Sequence, residues 1–305
     1  MEKIKAPIFH IIHGSFVDGF GIRTTVFLKG CPLKCIWCCN PEGQKFDPEL
    51  KVTVEKCDGC GKCVPMCPEG AISLDVAAEV KLRIDRKLCT DCLKCMDVCY
   101  TGALESFGEY YTVDELFEVL KKDELFYRSS GGGVTIGGGE ATWHPEFTLE
   151  LVRKCKENYI HTAIDTCGYV TSPDGIKALE EADLLLFDVK GIEPEAHLRN
   201  TGVSNEPIMK NLRHLAAMGK PLIIRVPVIP GYTDSEETLR AIAELLSQLK
   251  SVNRVDIMAV HEYGKVKYDQ LGKEYLLNVQ PIPPERQEEI RKLFVSYGLN
   301  AQLGG

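Results

Sequence analysis

The 305-residue sequence contains no apolar run of the roughly 20 residues that a membrane-crossing helix needs, so no membrane span is expected. Its opening stretch, MEKIKAPIFHIIHGSFVDGF, carries two early lysines. It has neither the apolar h-region nor the small-residue cleavage site of a secretory signal, and a cytoplasmic location is expected. Positive charge is also scarce: 36 Lys and Arg stand against 44 Asp and Glu, a formal net charge of −8. Nucleic-acid binders usually present a basic face, so neither a nucleic acid nor a membrane is expected as partner. The glycine-rich stretch 131–140 lacks the Lys-Ser/Thr of a P-loop and the G-x-G-x-x-G of a dinucleotide unit. With 44% hydrophobic and 26% charged residues, the composition is otherwise that of a soluble globular chain. The length suits one large domain, alone or with a small insert.

Cysteine is abundant. There are 14, and twelve of them lie between Cys31 and Cys99. Thiols in the cytosol stay reduced, so such clustering points to metal rather than to disulfides. Residues 57–68 read CDGCGKCVPMCP and residues 89–99 read CTDCLKCMDVC. Each has the spacing C-x2-C-x2-C-x3-C of bacterial two-cluster ferredoxins. Three cysteines on a tight loop wrap three corners of a [4Fe–4S] cube, and the fourth reaches across to the other cube. One cluster is thus expected on Cys57, Cys60, Cys63 and Cys99, the other on Cys89, Cys92, Cys95 and Cys67. Two zinc sites would leave the x3 spacing unexplained. The first run has the expected Pro68, whereas the second has Tyr100 in its place. Gly70-Ala71 and Gly102-Ala103 follow the two runs, as an internal repeat would require. Electron transfer is the expected role, with stapling of a small fold as the alternative.

Cys31, Cys35 and Cys38 have a different spacing, C-x3-C-x2-C, within KGCPLKCIWCCNPEG. Three ligands leave one iron of a cubane without a protein thiolate, and an open metal position is where a substrate binds. Cys39 adjoins a ligand and is read as a non-ligand. Cys155 is expected in the core, and Cys167 has no partner at metal spacing.

Outside the cysteine-rich part, strands and helices alternate. Thr112 and Glu115 form a capping box at a helix start. Strands are expected at 22–28, 134–136, 161–166, 184–189, 222–228 and 255–260, with helices at 145–158, 235–249 and 284–297 among others. Apolar strands separated by helices imply a parallel sheet covered by helices. About six such units are too few for a closed eight-stranded barrel. The expected fold is α/β, a partial (β/α)6 TIM-like barrel with an inserted ferredoxin-like domain; a doubly wound sheet is the alternative. Residues 1–52 would begin the barrel, 53–104 form the insert and 105–305 complete the barrel.

The chain resembles the radical SAM superfamily, whose usual pattern includes an aromatic residue before the third cysteine, here Trp37. Within that superfamily, DGFGIR at 18–23 and the following TTVFLKGCPLKCIWCCNPE are similar to the activating enzymes of glycyl radical enzymes. The likeness extends over nearly the whole chain and includes the two-cluster insert. Phe20 replaces the family's usual proline, and Cys39 stands where many members have His.

This resemblance implies three [4Fe–4S] clusters, one of which binds S-adenosylmethionine (SAM) through its open iron. It implies that the backbone of Gly138, Gly139 and Glu140 meets the SAM amino group. Asp165, Thr166 and Asp188 would help bind SAM or a nearby cation, and Lys190 would approach the SAM carboxylate. His261 would lie near the ribose. Arg225 sits in an otherwise apolar strand, where a charge needs a partner; a SAM carboxylate would serve. No catalytic residue is expected beyond the SAM-bound cluster.

The implied activity is reductive cleavage of SAM and hydrogen abstraction from a backbone glycine of a partner glycyl radical enzyme. Flavodoxin or ferredoxin would supply the electron, and the chain would act as a monomer. The rival readings are a radical SAM enzyme acting on a small molecule or RNA, and a non-catalytic electron carrier.

Overall fold

The computed structural model describes residues 3–79 and 81–304. A nine-stranded sheet forms the body. From edge to edge it runs through Ala301–Leu303, Val252–Ala259, Leu222–Val228, Leu184–Asp188, His161–Thr166, Gly133–Gly138, Arg23–Leu28, Lys5–Ser15 and Glu109–Thr112. The first seven are parallel to their neighbours. The last two are antiparallel additions at one edge.

Within the parallel part, the strand order follows the chain and never reverses. A doubly wound sheet would reverse at a switch point, so that alternative falls away. The sheet is open, but it curls. Thr25 donates to Asp18 Oδ2 at 2.7 Å, and Arg225 donates to Asp18 Oδ1 at 3.1 Å. The strands carrying Thr25 and Arg225 are four spacings apart along the sheet, about 19 Å if it were flat. One aspartate can join them only because the sheet wraps around its inner face. The architecture is a partial α/β barrel.

Burial on both faces explains the continuous apolar strands. Leu184 and Leu186 join Ala163 and Ile223 in a small cluster inside the curl. Leu185 and Phe187 point the other way, into the large core beneath the helices. There, helices Pro145–Glu157, Pro173–Glu181, Glu206–Ala217, Glu236–Ser247 and Pro284–Ser296 press down Val152, Leu179, Leu212, Ile242 and Phe294. The helix Val113–Leu120 starts on the expected capping box: Glu115 N donates to Thr112 Oγ1 at 3.2 Å, and Thr112 N to Glu115 Oε2 at 2.8 Å.

Three strands of this sheet lie beyond the expected six. Lys5–Ser15 is interrupted by Pro7, His10, His13 and Gly14, and its register shifts twice. Glu109–Thr112 and Ala301–Leu303 are short edge strands.

The cysteine-rich segment has its own frame. Glu49–Val52 pairs with Leu104–Phe107, and Ile72–Leu74 pairs with Leu82–Ile84. Leu50, Val52, Ile72, Leu82 and Leu104 form a separate core with Cys63 and Cys95. No described helix is long and apolar enough to cross a membrane.

Candidate active site

A cavity of about 330 Å³ opens where the parallel strands end. The loop after Arg23–Leu28 brings Cys31, Cys35 and Cys38 to it. Successive strand ends bring Gly138 and Gly139, then Asp165, Thr166 and Cys167, then Asp188 and Lys190. Arg225 comes from within Leu222–Val228, and His261 from just past the last long strand, which ends at Ala259. The C-terminal ends of barrel strands are where such folds place their chemistry. The structure therefore brings together every expected SAM-site residue except Glu140.

The cysteine loop is held by its backbone. Cys31 N donates to Gln44 O at 3.3 Å, Lys34 N to Thr201 O at 2.7 Å, and Ile36 N to Asn200 O at 3.1 Å. Tyr268 donates its hydroxyl to Cys38 O at 3.0 Å. Burial pushes the thiols of Cys31, Cys35 and Cys38 up, that of Cys38 to about 11. The metal-free thiols are thus neutral, and metal binding must displace their protons. Cys39 is exposed and Cys155 is buried in the core.

Gly138 and Gly139 serve the fold as well as the cavity. A side chain on Gly138 would come within 2.2 Å of Leu28 O, and one on Gly139 within 2.2 Å of Gly43 O. The glycines let this loop lie against the cysteine loop, with Gly139 N donating to Leu28 O and Glu140 N to Gly30 O, both at 2.8 Å.

Glu140 works from behind. Its carboxylate is fully buried. Oε1 accepts from Thr142 N (3.1 Å), Thr142 Oγ1 (2.7 Å) and Thr166 Oγ1 (2.8 Å), while Oε2 accepts from Cys167 N (2.7 Å). It ties two adjacent strand ends together and leaves none of its side chain facing the cavity.

Arg225 also differs from expectation. Its terminal nitrogens already have protein partners: Asp165 Oδ2 at 2.9 Å, Val17 O at 2.8 Å and Asp18 Oδ1 at 3.1 Å. A ligand carboxylate is not needed to neutralise it. Asp18, from the DGFGIR segment, is a site residue that sequence reasoning did not single out. It also accepts from Ser15 Oγ at 2.7 Å. Burial pushes the Asp165 carboxyl up, to about 7, against the pull of Arg225. Lys190 pairs with Asp188. Burial alone would lower Lys190, but Asp188 outweighs it and keeps the ammonium charged.

The eight cysteines of the insert form two separate sets. Cys57, Cys60, Cys63 and Cys99 line one small cavity, and Cys67, Cys89, Cys92 and Cys95 line another. These are the crossed sets that the x3 spacing implies. Leu104 N approaches Cys99 Sγ and Ala71 N approaches Cys67 Sγ, each at 3.3 Å. All-thiol sets with backbone N–H groups aimed at sulfur fit iron–sulfur ligation.

Comparison with known proteins agrees. Residues 97–245 match the radical SAM superfamily, 56–103 a 4Fe-4S dicluster domain and 17–66 a 4Fe-4S single cluster domain. The fold and the site are thus those of a radical SAM iron–sulfur protein. The chain is 43% identical over 284 residues to the choline trimethylamine-lyase activating enzyme of Oleidesulfovibrio alaskensis, covering 92% of each. It is 41% identical over 295 residues to the trans-4-hydroxy-L-proline dehydratase activating enzyme of Clostridioides difficile, covering 95% of this chain and 96% of that one. Streptococcus suis SuiB bound to precursor peptide SuiA shares the fold, with a TM-score of 0.51 and 16% identity over 65% of this chain and 43% of that one. The chain belongs to the glycyl radical enzyme activating enzymes.

Proposed function

We propose that this chain holds three [4Fe–4S] clusters and uses the one on Cys31, Cys35 and Cys38 to split SAM. The other two belong to Cys57, Cys60, Cys63 and Cys99, and to Cys67, Cys89, Cys92 and Cys95. In domain terms, residues 1–52 and 105–305 make the barrel and 53–104 the insert. The observation that carries the reading is the meeting of a three-thiol loop with Gly138, Gly139, Asp165, Asp188 and Lys190 in one cavity.

When bound by those three cysteines, a cluster with a free iron would supply the one electron that breaks the sulfur–carbon bond of SAM, giving methionine and a 5′-deoxyadenosyl radical. The chain's own residues bind and orient the substrate. Lys190 faces the SAM carboxylate, and the backbone of Gly138 and Gly139 meets the amino group. Asp165, Thr166 and Asp188 bind SAM or a nearby cation, and His261 lies by the ribose. Glu140 and Arg225 are positioning residues, Glu140 for the glycine loop and Arg225 for Asp165 and Asp18. The radical takes a hydrogen atom from a backbone glycine of a partner glycyl radical enzyme, leaving 5′-deoxyadenosine and a glycyl radical. Flavodoxin or ferredoxin supplies the electron. The chain works as a cytoplasmic monomer.

The test is anaerobic incubation with SAM, dithionite and a candidate partner. Release of 5′-deoxyadenosine together with a glycyl doublet in the partner's EPR spectrum is the expected result. Absence of the nucleoside with the clusters intact would sink the reading. Nucleoside without a glycyl signal in any candidate partner would favour a small-molecule substrate.

A further inference from the structure

The two cysteine sets of the insert have different surroundings. The set on Cys67, Cys89, Cys92 and Cys95 abuts the barrel. Leu50 lines its cavity, and Asp91 accepts from Leu50 N at 3.0 Å and Lys45 Nζ at 2.8 Å. Arg86 donates to Leu50 O at 2.9 Å and to Gln270 O at 2.8 Å. The set on Cys57, Cys60, Cys63 and Cys99 lies among residues of the insert alone, up to Leu104 at the start of the Leu104–Phe107 strand.

Cys60 of that set is exposed. Beside it stands Tyr100, the residue that replaces the expected proline, 67% exposed. Asp58 accepts from the Tyr100 hydroxyl, and Lys62 Nζ lies 5.2 Å from the ring centre. Val76, 69% exposed, and Lys81 lie over Gly59, where an added Cβ would sit 3.5 Å and 3.2 Å from them. Lys62 and Lys81 bring two positive charges to this face on a chain of net −8, beside the single negative charge of Asp58.

We propose that this face, Tyr100 with Lys62, Val76 and Lys81 around Cys60, is the docking surface for an acidic flavodoxin-type electron carrier. The inference rests on the function proposed above. An exposed cysteine ligand brings its redox group close to the surface, which suits transfer to or from a partner rather than burial for stability. Lysines around it complement an acidic partner and steer its approach. A pinned, exposed aromatic ring flanked by an apolar side chain offers the flat contact that the exposed edge of a flavin can stack on, and such residues anchor interfaces. The reduced flavin loses one electron and the insert gains one; no bond is made.

The test uses the fully iron-loaded chain, titrated anaerobically with an oxidised flavodoxin and separately with an oxidised two-cluster ferredoxin by calorimetry. Flavodoxin binding that weakens with added salt is expected. Lys62→Glu and Tyr100→Ala should each weaken it about tenfold or more, whereas Lys94→Glu, beside exposed Cys92, should leave it unchanged. Lys62→Glu keeps the tyrosine and so guards against a folding defect in Tyr100→Ala. Flavodoxin affinity unchanged in Lys62→Glu, affinity lost in Lys94→Glu, or ferredoxin binding this face in place of flavodoxin overturns the inference. A wild-type iron content short of three clusters would instead overturn the reading on which it rests.

Discussion

Arg225 and Asp165 lie on strands that are not neighbours, with Leu184–Asp188 between them, yet their side chains meet at 2.9 Å. The same guanidinium reaches Asp18 at 3.1 Å. One cation therefore joins the two sides of the curled sheet and holds two carboxylates at the cavity wall.

Arg225→Leu would leave Asp18 and Asp165 close together without that cation. Removing one member of a buried charge network typically costs about 3–5 kcal/mol. Chemical unfolding of the metal-free chain should show that loss, and Arg225→Lys should recover only part of it, because a lysine cannot reproduce the planar fork.

Glu140→Ala would strip partners from the backbone N–H groups of Thr142 and Cys167. Orphaned buried donors cost about 1–3 kcal/mol each, so the stability loss should be several times that of a surface substitution. SAM binding should weaken as well, because the Gly138-Gly139 loop loses its tie to the next strand end. Iron content should stay at the wild-type level; a parallel loss of iron would show that Glu140 supports the clusters instead.

Cys31→Ala, Cys35→Ala or Cys38→Ala should remove about four irons and leave about eight, the complement of two cubanes. Iron analysis checks the number, and SAM cleavage should vanish. Loss of all the iron from such a variant would contradict separate sites.

Cys99→Ala tests the crossed pairing. Although Cys99 follows Cys95 along the chain, it lines the cavity of Cys57, Cys60 and Cys63. EPR of the reduced variant should show the signal of that set altered and the signal of the Cys67, Cys89, Cys92 and Cys95 set retained.

The strands His161–Thr166 and Leu222–Val228 lie where the sequence predicts them, to the residue; Leu222–Val228 is apolar except for Arg225 and buried along nearly its whole length. Lys5–Ser15 could not be read in that way, because it alternates poorly and carries breakers. The cysteine sets were legible because metal spacing is local. The partners of Arg225 were not: Asp18 and Val17 O lie more than 200 residues earlier, and only the curl of the sheet brings them near. Glu140 was legible as part of a motif, but the direction of its carboxylate depends on Thr142, Thr166 and Cys167, which periodicity does not place.

Glu49–Val52 and Leu104–Phe107 lie side by side, so the chain leaves the barrel and returns to it at one doorway. To the sheet, everything between Val52 and Leu104 is a single excursion. The entropy of closing such an excursion rises by only about 0.6 kcal/mol for each doubling of its length. The cysteine-rich module is thus close to a graft. A short turn across the same doorway would keep every residue that lines the barrel cavity, at the cost of the braces from Arg86 and Asp91, the Thr53 contact with Gln270 and the packing of Leu50, Val52 and Leu104 against the insert. A scaffold of this kind can gain or shed a whole cysteine-rich module without redrawing the cavity at its strand ends.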